Sequence, residues 1–357
     1  MNRTRVWLHG ASVGDARALG PLLEALTTIA APLLTVGRRL GREAARSWYP
    51  DLTILRPPLP LRPAPDLFLA RHRPQLVLLE YLELWPAWMA ACERAGLPVV
   101  VVDGRVTHRS LRVRGLLRRS AARVAAFCAQ TDADALAAVA LGVPPERVRV
   151  TGNGKHDRQV APPLPSEALR SAVGDVELVV GSLHPDEEAA ALPALARFPG
   201  RILLAPRYPA RAAALRAAAL ALGVPCERRS SGAAAEARWV ILDTVGELAA
   251  AYGLGKVALI GGTFGRREGQ NLVEAAAHGM PVVHGPRTAN VAAEALALRG
   301  RGAFAEPDLA RAVARAAALL AAPAEAPDPR PALATLRGAV QRQLSVIAPF
   351  LEAAAVR

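Results

Sequence analysis

Lysine is nearly missing from this 357-residue chain. It occurs only at Lys155 and Lys256, although Lys and Arg together number 44 against 31 Asp and Glu, giving a net charge of +13. The positive charge is therefore almost all guanidinium, a surface that attracts nucleic acid, anionic lipid or a phosphorylated substrate. Aromatic residues are also scarce, at 4%. No helix-turn-helix, zinc-finger or aromatic-interleaved basic pattern is present, which argues against a nucleic-acid partner. Cys92, Cys128 and Cys226 are an odd, scattered set without metal-ligand spacing, so they read as small buried hydrophobes in a reducing compartment. No uninterrupted apolar run reaches the roughly 18 residues of a spanning helix. The start, Met1-Asn2-Arg3-Thr4-Arg5, carries a basic flank without the apolar segment and cleavage site of a signal peptide. A cytosolic or peripheral protein is expected.

What is present is an apolar fraction of 52%, enough for two domains of ordinary size. Apolar runs alternate with helical patterns. Strands are expected at 5–9, 33–36, 52–56, 76–80, 99–103, 125–129 and 148–152, with helices at 16–28, 40–48, 63–71, 85–95 and 133–141. After the proline-rich break 159–166 the rhythm restarts. Strands follow at 178–181, 201–205, 239–243, 257–261 and 281–284, with helices at 185–197, 210–222, 248–252, 271–278, 291–298, 309–321 and 331–355. The strands are continuous apolar runs, which suits parallel sheets covered on both faces. The expected class is α/β, with two Rossmann-like doubly wound domains facing a cleft. Their bounds are 1–160 and 167–330, and the C-terminal stretch 331–357 packs back on the first domain.

Ligands of such folds bind at the carboxyl ends of strands. The first strand delivers Gly10-Ala11-Ser12-Val13-Gly14-Asp15 onto a helix. Small turn residues there admit close approach to the backbone, and a helix N-terminus favours anions. Asp15 is either a helix cap or a catalytic base. Two later loops have the same placement: 243–247, and Gly261-Gly262-Thr263-Phe264-Gly265-Arg266-Arg267-Glu268-Gly269-Gln270-Asn271, which leads to Glu274. A glycine-rich loop entering a helix cradles phosphates through its N–H groups, although neither loop matches the dinucleotide or P-loop pattern. The densest basic segment, Arg109–Arg123, reads as a cationic amphipathic helix suited to anionic head groups.

Blocks spread along nearly the whole chain resemble the Kdo (3-deoxy-D-manno-octulosonic acid) transferases. They are VWLHGASVGD (6–15), ELWP (83–86), DGRVTHRS (103–110), TGNGKHD (151–157), GSLHPDEE (181–188), APRYPAR (205–211), DTVGEL (243–248), GGTFGRREGQNLVEA (261–275) and GP (285–286). The resemblance implies a glycosyltransferase-B fold and transfer of Kdo from CMP-Kdo to a lipid A precursor in lipopolysaccharide synthesis. It implies no metal or other cofactor, and work at the cytoplasmic face of the inner membrane. Asp15 then stands where the family has a glutamate acting as general base, with Ser12, Gly14, Glu83 and Arg105 on the acceptor side or in the cleft, Arg105 as a contact to either the donor carboxylate or an acceptor phosphate. The donor falls to Arg207, assisted by Arg211, to Gly261, Gly262 and Thr263, to Asn271 and Glu274, and to Ser182 and His184. Asn153 and Lys155 fall at the hinge between halves.

Several departures from the family pattern bear on these roles. Asp15 is one methylene shorter than the glutamate. Tyr81 and Leu82 replace the first residues of E-T-E-L-W-P, with Glu80 just outside, and Gln270 takes the histidine position of G-G-H-N. The threonine-rich loop after the second strand becomes Thr35-Val36-Gly37-Arg38-Arg39, and the family's N-terminal anchoring helix has no counterpart in this sequence. Basic patches would then hold the protein to an anionic membrane surface. Two other readings stand beside this one: the same fold with a different sugar or acceptor, and an inactive relative that binds nucleotide or a partner.

Overall fold

Val99-Val100-Val101-Val102, with no polar alternation, needs apolar cover on both faces, and all of it is buried. It forms part of the first of two parallel sheets in a computed structural model that describes residues 3–157, 162–232 and 237–355. The chain divides into two units, Met1–Gln159 with Leu336–Arg357, and Val160–Thr335. Residues 159–161 of the proline-rich break lie outside the described residues.

In the first unit, β1 (Arg5–Gly10), β2 (Ala31–Val36), β3 (Thr53–Leu55), β4 (Leu76–Glu80), β5 (Val99–Gly104), β6 (Ala126–Ala129) and β7 (Val148–Val150) pair in the order β3-β2-β1-β4-β5-β6-β7. One core lies on each face of this sheet, built around Leu8, Leu34 and Leu78 on one side and Trp7, Val77 and Val101 on the other. The strand order reverses between β1 and β4, so a crevice opens at their carboxyl ends.

The second unit repeats the plan. Strands β8 (Leu178–Leu183), β9 (Ile202–Pro206), β10 (Cys226–Arg228), β11 (Trp239–Ile241), β12 (Val257–Ile260), β13 (Val282–His284) and β14 (Ala303–Ala305) take the order β10-β11-β9-β8-β12-β13-β14. Its reversal lies between β8 and β12, and again both sheet faces are covered by apolar cores. The two sheets show the α/β class and the doubly wound parallel architecture expected from the runs.

Some elements differ from expectation for local reasons. The helix expected over 16–28 is two helices, Val13–Ala18 and Gly20–Ile29, because Pro21 has no N–H and opens a new first turn. The basic segment 109–123 likewise divides into His108–Arg112 and Arg114–Ala121. The edge strands β10 and β14 were not expected. Cys226-Glu227-Arg228 of β10 is mostly charged, and Ala303-Phe304-Ala305 of β14 is a short apolar run bounded by Gly302 and Glu306.

The stretch expected as one helix over 331–355 is also divided, into Arg330–Ala334 in the second unit and Ala339–Ala355 in the first. Asp157 holds the start of the long helix, accepting from Ala339 N at 3.1 Å and Val340 N at 2.6 Å. Arg342 donates to the Thr151 carbonyl, and Gln343 Nε2 donates to Asp103 Oδ1 at 2.6 Å. All three cysteines are buried and free. Burial pushes the thiols of Cys92 and Cys128 up to about 12, so neither is a nucleophile. Asp157→Ala leaves two helix-terminal N–H groups without their acceptor, at a cost of about 1–2 kcal/mol. Hydrogen exchange should show that loss first as fraying over 339–343. Unchanged protection there would rule out this capping role.

Candidate functional site

At the reversal point of the first sheet, Ser12 is the N-cap of helix Val13–Ala18 and Asp15 is its third residue. The two form a reciprocal capping box. Asp15 Oδ2 accepts from the N–H groups of Ala11 and Ser12, both at 2.8 Å, and Oδ1 accepts from Ser12 Oγ at 2.8 Å. A carboxylate has about four acceptor positions, so three hydrogen bonds fix its plane and leave room for one more donor. Gly14 is exposed beside it, and a Cβ there would meet only Ser12 Oγ at 3.6 Å. Gly10 has a different task from the open approach expected of it. A Cβ at Gly10 would lie 2.9 Å from Asp15 Cβ and 3.0 Å from Glu80 Oε2, so its missing side chain admits two carboxyl-bearing neighbours.

Glu80, at the carboxyl end of β4, is 1% exposed, and neither of its oxygens has a hydrogen-bond partner. Burial holds its carboxyl well above the usual range, and the nearby Asp15, Asp103 and Glu83 push it the same way against Lys155. Glu83 is raised by burial too, although Trp85 Nε1 donates to it at 2.7 Å. His9 Nε2 lies 3.9 Å from Glu83. Burial pushes the imidazole down to about 4, so at neutral pH this is a contact with a neutral ring. His9 is held by Thr35 at 2.9 Å and by the edge of Trp88. Arg105 is half-buried just beyond β5, in the field of Tyr81. Asn153 and Lys155 lie in the turn that follows β7, where the Asn153 side chain accepts from Lys155 N.

Asp103 is 1% exposed and takes Gly154 N at 2.7 Å and Gln343 Nε2 on the same oxygen, while Oδ2 has no partner. Burial raises its carboxyl to about 6 against those two hydrogen bonds. Asp103 therefore joins the end of β5 to the 151–157 block and to the C-terminal helix.

The second unit organises its reversal point around Glu187, which is 2% exposed. Its Oε2 accepts from His184 N at 3.0 Å and Gly262 N at 2.7 Å. Its Oε1 accepts from Phe264 N at 2.9 Å and Gly265 N at 3.1 Å. Asp186 takes Arg266 N at 2.8 Å. The glycine-rich loop was expected to offer its N–H groups to a phosphate, and at these positions protein carboxylates already hold them. Gly261 N is given to the Gly181 carbonyl at 2.8 Å. Gly261 is glycine because a Cβ there would lie 2.6 Å from Leu183 Cα. Thr263 is fully buried, donating to the Ile260 carbonyl at 2.6 Å and accepting from Gly285 N at 2.7 Å. These residues shape the loop, and its exposed part is Arg266-Arg267-Glu268.

Exposed cationic side chains stand beside this loop. Arg207 is exposed after β9, with its guanidinium 5.8 Å from the Tyr208 ring. Tyr208 in turn meets His184 edge-on at 5.9 Å. His184 is 3% exposed, 3.3 Å from Gln270 Nε2, and held below its usual range mainly by burial. Arg211 was expected to assist Arg207, but it is bound to Glu188 by two hydrogen bonds at 3.2 and 2.6 Å. Asn271 accepts from Val273 N and donates to Glu274 at 2.9 Å, which sets Glu274 at the start of helix Val273–Ala277. Ser182 lies half-buried at the end of β8 with φ +56. The sequence reading missed Glu187 as the loop's anchor. The signal available was a helix-opening Glu three residues after His184, a capping-box spacing.

Two seven-stranded doubly wound parallel sheets, each with polar side chains gathered where its strand order reverses, define the glycosyltransferase-B class. Among solved structures, the Anabaena Alr3699/HepE protein in complex with UDP superposes with a TM-score of 0.72 at 16% identity, covering 98% of this chain and all of that one. Residues 1–158 match the 3-deoxy-D-manno-octulosonic-acid transferase (kdotransferase) family. A 3-deoxy-D-manno-octulosonic acid transferase of Bordetella pertussis is 33% identical over 89% of this chain and 80% of its own length. One from Haemophilus influenzae is 27% identical over 97% and 87%. This chain belongs to the Kdo transferase family.

The raised carboxyl of Asp103 makes stability depend on pH. The folded protein keeps this proton up to about pH 6 and the unfolded chain only to about 4. The folded state therefore binds more protons across that window, and this group's contribution to stability falls as pH rises through it. Asp103→Asn keeps the acceptor for Gly154 and Gln343 and removes the buried charge. Its stability relative to the parent should rise between pH 4 and 7 and then level off. Denaturant melts showing a pH-independent difference would overturn this assignment.

Proposed function

We propose that the chain transfers Kdo from CMP-Kdo to a lipid A precursor. The observation that carries this reading is the likeness to the B. pertussis transferase, which runs through both units. In this reading a hydroxyl of the acceptor approaches the exposed side of the Ser12–Asp15 turn, and Asp15 takes its proton as the oxygen attacks the anomeric carbon. The bond from that carbon to the phosphate oxygen breaks, and the electron pair leaves with CMP. Arg207 offsets the charge that collects on the leaving phosphate, while Glu274, oriented by Asn271, accepts from ribose hydroxyls. Ser182 and His184 line the donor side, and Glu83 and Arg105 position the acceptor. The reaction so written needs no metal. Its test is transfer from CMP-Kdo to a lipid A precursor in the presence of EDTA, and loss of transfer on adding EDTA would overturn the metal-free step.

One observation favours the reading of an inactive relative, since a capping box gives Asp15 a structural reason to be present. Asp15→Asn separates the two. The amide retains an acceptor for the cap, and the catalytic reading expects kcat to fall by about 10²–10⁴-fold with the melting temperature little changed. An intact rate would remove Asp15 from the chemistry. Binding of CMP without turnover of any donor would favour the inactive relative, and turnover of a different nucleotide sugar the broader transferase reading.

Among the described residues no helix is long and apolar enough to cross a membrane. We place the contact with an anionic membrane surface on helices His108–Arg112 and Arg114–Ala121, where Val113 and Leu116, 47% and 76% exposed, sit among arginines. Each basic residue near anionic lipid contributes about 1 kcal/mol. High salt should therefore release the protein from anionic vesicles, whereas retention would assign the contact to apolar insertion.

A further inference from the structure

Arg267 was given no role by the sequence, yet the fold brings it to the Arg207 side of the second unit. Glu187 and Asp186 pin Gly262, Phe264, Gly265 and Arg266 onto the first turn of helix Pro185–Ala196. A Cβ at Gly265 would collide with Asp186 at 2.5 Å, so the loop lies hard against that turn. Arg267 directly follows this pinned stretch, in which a Cβ at Gly262 would lie 3.0 Å from His184 Cδ2, and His184 is the N-cap of the same helix. Arg207 reaches the same place from the end of β9, through the Tyr208 ring that abuts His184. The positive fields of Arg267 and Arg207 both act on the His184 imidazole, adding to its burial against Glu187 and Asp186.

Neighbouring arginines are neutralised, Arg211 by Glu188 and Arg229 by Glu247. Arg207 and Arg267 are exposed and have no carboxylate partner among the described residues. Glu187 and Asp186 occupy the amides of Gly262, Phe264, Gly265 and Arg266, and the two guanidinium groups are the local full charges that can hold a negative ligand. A pair of unneutralised guanidiniums suits a ligand with two anionic groups a few bonds apart. On the Kdo transferase reading, on which this step rests, the donor is such a ligand, with a phosphodiester and a sugar carboxylate both attached at the anomeric carbon.

We propose that Arg207 and Arg267 form a two-point anion clamp, in which Arg207 takes the donor phosphate and Arg267 the sugar carboxylate. Arg267 then selects acidic sugars over neutral ones, a choice that a nucleotide pocket alone does not make. The carboxylate is present in CMP-Kdo and absent from CMP, so the two ligands separate the two contacts.

The experiment measures the donor KM and the inhibition constant of CMP for the full chain, Arg267→Gln, Arg267→Lys and Arg207→Gln. Loss of one charge-assisted pair is worth about tenfold to a hundredfold in affinity. Arg267→Gln should raise the CMP-Kdo KM by that factor with kcat largely kept, and leave CMP inhibition within about threefold. Arg267→Lys should recover part of the loss, and Arg207→Gln should weaken CMP and CMP-Kdo together. Equal weakening of both ligands by Arg267→Gln, or no change in either, overturns the clamp. An unmodified chain that binds CMP but gains no affinity from the sugar acid overturns it as well, while leaving the nucleotide site in place. If the unmodified chain binds neither ligand, the transferase reading falls together with the clamp.

Discussion

One buried carboxylate sets the shape of the second unit's strand ends. Glu187 accepts four backbone N–H groups, one from the start of its own helix and three from the loop after β12. Each would otherwise be a buried or half-buried donor without a partner, and an orphaned group of that kind costs about 1–3 kcal/mol. The loop thus behaves as though an anion were bound at all times. Its conformation does not wait for a ligand, and the amides of Gly262, Phe264 and Gly265 cannot serve one without displacing Glu187. Recognition of charge passes to side chains standing around the loop, which suits a chain so rich in arginine.

The first unit uses the same device in another place. Asp103 ties the end of β5 to Gly154 and, through Gln343, to a helix far away in sequence. Asp157 holds the amino end of that helix. Two carboxylates therefore bind the C-terminal helix into the first unit, Asp157 through N–H groups that a helix end must satisfy in any case and Asp103 through a side-chain amide. Glu80 has no such compensation. Its buried oxygens are unpartnered beside Asp15, burial holds its carboxyl well above the usual range, and it packs where Gly10 leaves space.

Twelve of the fourteen strands among the described residues were legible because parallel sheets favour apolar runs. The edge strands β10 and β14 were not, because Cys226-Glu227-Arg228 holds no apolar run and Ala303-Phe304-Ala305 is a short one. The motif blocks gave the family, and with it the residues around the strand reversals. They did not show what each polar group touches. Thr263 reads as a loop hydroxyl and is a buried clamp between Ile260 and Gly285. Arg211 reads as a free cation and is neutralised by Glu188. Asp15 reads as cap or base, and the structure adds that Ser12 is the cap and Asp15 its reciprocal partner. Hydrogen-bond partners drawn from 75 or more residues away, as Glu187 draws Gly262, leave no trace in local pattern.

Backbone conformation adds a last constraint. Tyr81, Asp103 and Ser182 all have positive φ, at 56°, 49° and 56°, although none is glycine, and each costs of order 1–3 kcal/mol. They fall at or just beyond the carboxyl ends of β4, β5 and β8, the edges where folds of this kind hold ligands. A glycine would relieve the strain, and at Asp103 what it would lose is visible: the acceptor for Gly154 and Gln343. Ser182 turns the chain so that its carbonyl and the Leu183 backbone close over Gly261, delivering His184 to the start of the helix that carries Glu187. The strain at the strand ends and the buried carboxylates are thus parts of one arrangement: a bent strand end presents the residue that begins a helix, and a carboxylate on or near that helix locks the adjoining loop.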